Sequence, residues 1–303
     1  MPIQPKHLHP YPRLSPTHLR PEFTGKTILI TGAGSGIGAS TATAFALAGA
    51  SHLILAGRTL SKLSTTAASL ATSFPALKTT TFAVDISSKT DVAALFAALD
   101  TSPDVLVNNA GYMPTVSKFG DADADADAEL DLGEWWRAFE VNVFGTALVT
   151  QSFLKHRSGL SGKGNASASA TPAVVITINT MGAYSQPFRV PGLSAYSASK
   201  AALLRLSETL ADDVPVGVAR FVSLHPGGVA TDMAAKAGIE ESEHFPFTDA
   251  RLSAEFVVWA ASEEAGFLAG RFAWVNWDVD ELVAAREEIV GRDLFRTAVS
   301  DLA

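Results

Sequence analysis

Residues Thr27 to Ala50 restrict the possible folds more than any other stretch of this chain. Thr27-Ile-Leu-Ile-Thr31 is a short apolar run rich in β-branched residues, as a strand buried on both faces requires. Gly32-Ala-Gly-Ser-Gly-Ile-Gly38 follows at once, and Ala39 to Ala50 is an alanine-rich helical stretch. Bare glycines between a strand and a helix let the backbone approach a pyrophosphate closely. The helix N-terminus then offers its free N–H groups at the same place. The spacing is G-x-x-x-G-x-G, with Ile37 standing where the commoner G-x-G-x-x-G pattern has its last glycine. The other reading is a glycine turn that binds nothing.

The rest of the chain repeats the alternation of strand and helix. Apolar runs at 53–56, 80–84, 104–107, 174–178, 218–224 and 272–275 read as strands, and helical patterns lie between them at 60–72, 91–99, 135–153, 195 onward, 251–260 and 279–299. Strands that alternate with helices imply one doubly wound, mostly parallel sheet of seven strands with helices on both faces. An apolar content of 47% is enough to fill such a core. We divide the chain into a proline-rich arm, 1–24, and one domain, 25–303. Within the domain we mark an acidic insertion at 119–134, a Gly/Ser/Ala-rich loop at 158–171, an irregular stretch and candidate substrate lid at 232–250 and a C-terminal extension at 276–303. Prolines 2, 5, 10, 12, 16 and 21 restrict the arm to extended or turn conformations, either laid over the domain or disordered.

Composition excludes several functions. There are no cysteines, hence no disulfide, no thiolate catalysis and no cysteine-ligated metal. The formal charge of −8 comes mostly from Asp121, Asp123, Asp125, Asp127, Glu129, Asp131 and Glu134, so the body is near neutral. It carries no basic footprint for nucleic acid or an anionic membrane. The Asp repeat suggests a calcium loop, but Ala126 and Leu132 stand where such a loop needs Gly and Glu. A solvated insertion with no metal is the expectation. With no apolar run of transmembrane length and no apolar signal core, a cytoplasmic location is expected.

Two further stretches carry chemistry. The second strand ends at Gly57-Arg58-Thr59, where an NAD site usually places an acid for the ribose hydroxyls. No acid occurs between Glu22 and Asp85. Arg58 could instead hold a 2′-phosphate, with Lys62 assisting, which favours NADP(H) over NAD(H); otherwise Arg58 is a surface arginine. Tyr196-Ser-Ala-Ser-Lys200 places a phenol and an ammonium one helical turn apart. A fixed positive charge favours the phenolate, so the spacing predicts a tyrosine pKa below its usual ~10, fit for proton transfer to a substrate oxygen. Ser194 is the expected helix cap.

Thr31-Gly-x-x-x-Gly-Ile-Gly38, Asn108-Asn-Ala-Gly111, Asn142, Tyr196-x-x-x-Lys200 and Pro226-Gly-x-Val-x-Thr231 together resemble the short-chain dehydrogenase/reductase family, over roughly residues 25–275. The arm and the ending Asn276-Trp-Asp-Val-Asp-Glu-Leu282 resemble a fungal branch of it. The resemblance implies a Rossmann domain and a reaction between a carbonyl or secondary alcohol and NADP(H). Tyr196 would be the general acid or base, with Lys200 holding the ribose hydroxyls and Asn142 keeping a water in the proton relay. Cofactor contacts would come from Gly32, Ser35, Gly36, Ile37, Gly38 and Arg58, from Asp85 and Ile86 at adenine, and from Asn109, Ala110 and Gly111. Pro226, Gly227, Val229 and Thr231 would complete the trough, the last two at the carboxamide.

One departure concerns the family's serine, about thirteen residues before the tyrosine, which is Ala183 here. Thr180 replaces it in our alignment, with Ser185 as the competitor. The other departure is the ending, Asn276-Trp277-Asp278, which lacks the usual glycines. It puts tetrameric packing in doubt and leaves a homodimer through the helices of Asn142 and Tyr196. Alternative functions on the same scaffold are a non-redox dehydratase, isomerase or cyclase, or a silent dinucleotide binder. Tyr184, Phe188, Met233, Phe245 and Phe247 are expected to line a pocket for a small hydrophobic substrate.

Overall fold

The sheet is built from β1 (Thr27–Thr31), β2 (His52–Gly57), β3 (Lys78–Ala83), β4 (Val105–Asn108), β5 (Ala173–Ile178), β6 (Ala219–His225) and β7 (Arg271–Trp274). All seven are parallel, in the order β3-β2-β1-β4-β5-β6-β7. The computed structural model describes residues 3–119, 130–159, 171–184, 191–242 and 245–298. The acidic repeat from Asp121 to Glu129, most of the small-residue loop, Ser185 and Phe188 therefore lie outside the described residues.

The helices are α1 (Arg20–Phe23), α2 (Gly36–Leu47), α3 (Leu60–Ser73), α4 (Lys89–Ala97), α5 (Leu132–Phe139), α6 (Thr146–Arg157), α7 (Ser194–Asp213), α8 (Asp232–Lys236), α9 (Ala250–Ala261), α10 (Val279–Ala284) and α11 (Arg286–Gly291). They cover both faces of the sheet. Ile28 and Ile30 of β1 join Phe45, Phe256 and Trp259 of α2 and α9 on one side. Leu29, between them, joins Phe96, Val149 and Phe153 of α4 and α6 on the other. The period-two alternation thus buries every residue of β1, as the unbroken apolar run requires. Burying each such side chain contributes about 1.5–3 kcal/mol. Strand order reverses between β1 and β4, and there the carboxyl ends of the strands open a crevice.

Four expectations need correction. The arm is not confined to extended and turn backbone: Pro12–Leu14 and Pro16–Leu19 form 3₁₀ turns and Arg20–Phe23 a turn of α-helix. Pro12, Pro16 and Pro21 each stand in a first turn, where the missing N–H costs nothing. Ser194 does not cap α7; it is the first helical residue, and its hydroxyl accepts from Trp135 Nε1 at 3.1 Å. The last helix does not run from Val279 to Val299. It breaks at Ala285 and ends at Gly291, and the left-handed Asp293 and Phe295 turn the chain so that Phe295 reaches Trp277 at 4.7 Å. Finally, 232–250 is not wholly irregular, because α8 opens it.

Candidate active site

The glycine loop forms the cleft's first wall. Gly32 and Gly36 adopt φ of +67° and +53°, and a Cβ on Gly38 would lie 2.2 Å from Gly32 O. Only glycine lets the strand turn into α2 this tightly. No side chain caps the N-terminus of α2. Asn109 holds the loop from the next strand, donating from Nδ2 to Thr31 O at 3.0 Å and Gly32 O at 3.1 Å. The Thr31 hydroxyl accepts from the backbone N–H of Asn109 and Ala110, both at 3.1 Å.

The second wall is α7, and the helix opposite carries Asn142. Tyr196 and Lys200 both border the cleft, with Lys200 Nζ 5.9 Å from the tyrosine ring centre and donating to Ile178 O at 2.9 Å. Between α5 and α6 the backbone widens into a π-helical stretch, Glu140–Gly145, which contains Asn142. Such turns gather at functional sites. Asn142 is fully buried and stands behind the cleft rather than in its wall. Its Oδ1 accepts from Tyr112 N at 2.7 Å, and its Nδ2 donates to Tyr112 O and Ser199 Oγ, both at 2.9 Å. Ser199 in turn donates to Tyr196 O at 2.8 Å. One amide thereby fixes the turn after β4 to the helix of the tyrosine.

Burial sets the electrostatics of the pair. Loss of water pushes the Tyr196 phenol up to about 12 and the Lys200 ammonium down to about 8. The prediction of a depressed phenol is therefore corrected. Desolvation of the phenol raises it, and the Lys200 charge, itself made costly by burial, does not offset this. At neutral pH the tyrosine is protonated and the lysine is charged.

Thr180 caps the turn Met181–Ala183, its Oγ1 accepting from Gly182 N at 3.2 Å, and it borders the cleft with Tyr196. Ala183 closes that turn away from the cleft. Asp85 and Ile86 line the far end, where Asp85 accepts from Ser87 and from Arg137 Nη2 at 2.8 Å. Those hydrogen bonds and the guanidinium outweigh burial and hold the Asp85 carboxyl below its usual range. Arg58 is exposed at the rim and has no ion-pair partner among the described residues, whereas Lys62 reaches Asp232 at 3.5 Å.

The loop after β6 closes the cleft. Thr231 caps α8 through a bond from Ala234 N at 3.1 Å, and a Cβ on Gly36 would meet the Thr231 methyl at 3.3 Å. Pro226, Gly227 and Val229 line the same side. Lys236, at the end of α8, donates to Met113 O at 2.9 Å and pairs with Glu134 at 3.4 Å. Glu134 also accepts from the Tyr112 hydroxyl at 2.8 Å, so α8 is tied across the opening. Sequence reasoning missed Tyr112, Met113, Ser197, His225 and Lys236, all of which border the cleft. The turn after Gly111 could have pointed to the first two. Nothing local marks Lys236, whose partners lie about a hundred residues earlier.

Met233, Phe245 and Phe247 line the cleft as expected. Tyr184 does not. Its hydroxyl accepts from Trp274 Nε1 at 2.6 Å and its ring packs edge-on against Phe272, which draws it to the outer strand. Among the described residues no acidic or histidine group could hold a metal ion, and no helix is long and apolar enough to cross a membrane. The cleft measures about 940 Å³ and runs from the glycine loop to Tyr196. Its volume and its bare backbone at the α2 N-terminus fit a nicotinamide dinucleotide.

Comparison with known proteins agrees with this geometry. The family model described as short chain dehydrogenase matches residues 26–242. The short chain dehydrogenase citE of the fungus Monascus ruber is 35% identical over 299 residues, covering 96% of this chain and 94% of its own. A 3-ketoacyl-(acyl-carrier-protein) reductase from Brucella melitensis, solved with NADH, superposes with a TM-score of 0.66 at 27% identity, over 84% of this chain and 97% of that one. A putative NAD(P)-dependent gluconate 5-dehydrogenase from Beutenbergia cavernae, solved with bound NADP, gives 0.67 at 26% identity, over 83% and 95%.

Proposed function

The chain belongs to the short chain dehydrogenase family, and from that premise we propose that it is an NADP(H)-dependent oxidoreductase interconverting a carbonyl and a secondary alcohol. The observation that carries the reading is the meeting of Tyr196, Lys200 and Thr180 with the glycine loop in one cleft. A bound nicotinamide dinucleotide supplies or accepts the hydride; the protein binds, orients and moves the proton. Gly32, Ser35, Gly36, Ile37 and Gly38 hold the pyrophosphate, Asp85 and Ile86 the adenine, and Arg58 a 2′-phosphate. Asn109, Ala110, Gly111, Pro226, Gly227, Val229 and Thr231 shape the nicotinamide end, and Lys200 binds the adjoining ribose. Relatives solved with either cofactor leave the preference to Arg58.

In reduction the Thr180 hydroxyl donates to the substrate carbonyl oxygen and Tyr196 delivers the proton to it. A phenol near 12 is protonated across the neutral range, so Tyr196 is ready as an acid. In the reverse direction the Lys200 ammonium stabilises the phenolate. Asn142 positions Tyr196 through Ser199. Leu193, Met233, Ile239, Phe245 and Phe247 suit an apolar substrate. A homodimer through the helices of Asn142 and Tyr196 is supported by Trp136 and Phe144, which are 56% and 43% exposed.

Tyr196→Phe tests the reading. NADPH consumption with a panel of ketones should fall by roughly 10²–10⁴, while the NADPH Kd stays near the wild-type value. Unchanged turnover would remove Tyr196 from the chemistry.

A further inference from the structure

We propose that His225 recognises a hydroxyl group on the substrate, at a position separate from the carbonyl that reacts; this rests on the oxidoreductase reading above. His225 is the last residue of β6. Its strand neighbours are Trp274 of β7 on one side and, through the bond from Asn179 N to Leu224 O at 2.7 Å, the end of β5 that carries Thr180. It therefore sits one strand away from the group that would hold the reacting carbonyl. The ring is 5% exposed and meets the Trp274 ring at 4.8 Å with the planes 76° apart. Its Nδ1 is shut off from solvent and has no hydrogen-bond partner. Nε2 has no partner among the described residues either, yet the side chain borders the cleft.

The proton transfer uses Tyr196, Lys200 and Thr180 and leaves His225 without a task. A phenylalanine would fill the same place against Trp274 and leave no polar group unpaired. Nδ1 faces the protein and stays unpaired, whereas Nε2 is not sealed off in this way and is the nitrogen that a molecule in the cleft can reach and satisfy. Burial pushes the imidazole down to about 3, so it is uncharged at neutral pH. A carboxylate or phosphate would gain no ion pair there. A hydroxyl can donate or accept, and so pairs with whichever tautomer the ring adopts. Met233, Phe245 and Phe247 line the same cleft and have no strong hydrogen-bonding group to offer a hydroxyl, so a bond to His225 would discriminate against an analogue that lacks it.

The test is calorimetric titration of NADP⁺-loaded protein with acetophenone and its 2′-, 3′- and 4′-hydroxy derivatives, repeated with His225→Phe and His225→Gln. At least one hydroxylated ketone should bind the wild type about tenfold more tightly than acetophenone, about 1.4 kcal/mol. That preference should vanish in His225→Phe and return in part in His225→Gln, with the affinities for acetophenone and NADP⁺ unchanged. No hydroxyl preference in the wild type, or the same preference in His225→Phe, overturns the proposal. Should His225→Phe fail to hold NADP⁺, the imidazole ¹⁵N shifts of the wild type decide. They should move with the preferred hydroxyketone and stay still with acetophenone, and no movement overturns the proposal equally. A hydroxyl preference without any NADPH-dependent turnover would instead sink the reductase reading and leave His225 as assigned.

Discussion

Under the proposed function, Arg58 is the one side chain that would decide between two cofactors. The acid that would bind ribose hydroxyls is missing from the end of β2, and the guanidinium stands at the cleft rim with no ion pair among the described residues to give up. Lys62 is less available, since it already reaches Asp232. Charge-assisted bonds of this kind contribute about 1.5–3 kcal/mol. Arg58→Ala should therefore weaken NADPH binding by roughly ten- to a hundredfold and leave NADH within about twofold, as read by fluorescence titration. An equal loss for both cofactors would contradict a 2′-phosphate contact. The position of Arg58 was legible because it follows directly from a strand end. The electrostatics of Tyr196 were not. Helical spacing places the phenol and ammonium on one face, but only the packing of α7 decides how much water remains around them, and desolvation outweighed the charge.

Among the elements, the turn between β1 and α2 is the one whose sequence dictates its shape. The Cβ that alanine would add at Gly38 falls 2.2 Å from Gly32 O and 2.6 Å from Asn109 Nδ2. The obstacle is backbone, not the end of a flexible side chain, so the turn itself must open. Gly38→Ala should cost about 1–3 kcal/mol and raise the NADPH Kd by tenfold or more, with a matching fall in Tm. A variant that binds NADPH normally would show that the loop's tightness is irrelevant to the ligand. The π-helical stretch was hidden, because the apolar pattern from Trp135 to Phe153 continues through it unbroken. What widens the backbone is tertiary: a Cβ at Gly145 would lie 2.9 Å from Ile86, and Asn142 must reach the turn after β4. The end of the last helix was hidden for the same reason, as the chain beyond Gly291 turns so that Phe295 packs on Trp277.

Across the whole molecule, the arm and the C-terminal extension form one clasp that ends at the cleft. Lys6 N and His7 N donate to Asn276 O at 2.7 and 3.1 Å, and Asp249 N donates to Leu8 O at 2.8 Å. Arg13 holds Asp280 and Glu264, and Leu14 and Phe23 are buried in the core beneath α2 and α9. The side chain of Asn276 donates both to His7 O at 2.8 Å and to Thr248 Oγ1 at 3.0 Å. Thr248 in turn presses on Gly227, where a Cβ would meet its hydroxyl at 2.2 Å, and its N–H bonds Gly228 O at 2.7 Å. The arm is thus three contacts away from the loop that carries Val229 and Thr231. Removing residues 1–9 leaves Leu14 and Phe23 in place but severs the bonds to Asn276 and Asp249. At about 0.5–1.5 kcal/mol net for each of the four bonds, stability should fall by about 2–6 kcal/mol. If Asn276 relays the change to Thr248, the NADPH Kd should rise several-fold as well, and Asn276→Ala in the truncated chain should add little further loss. Additive losses in that double-mutant cycle would show that the arm stabilises the domain without reaching the loop.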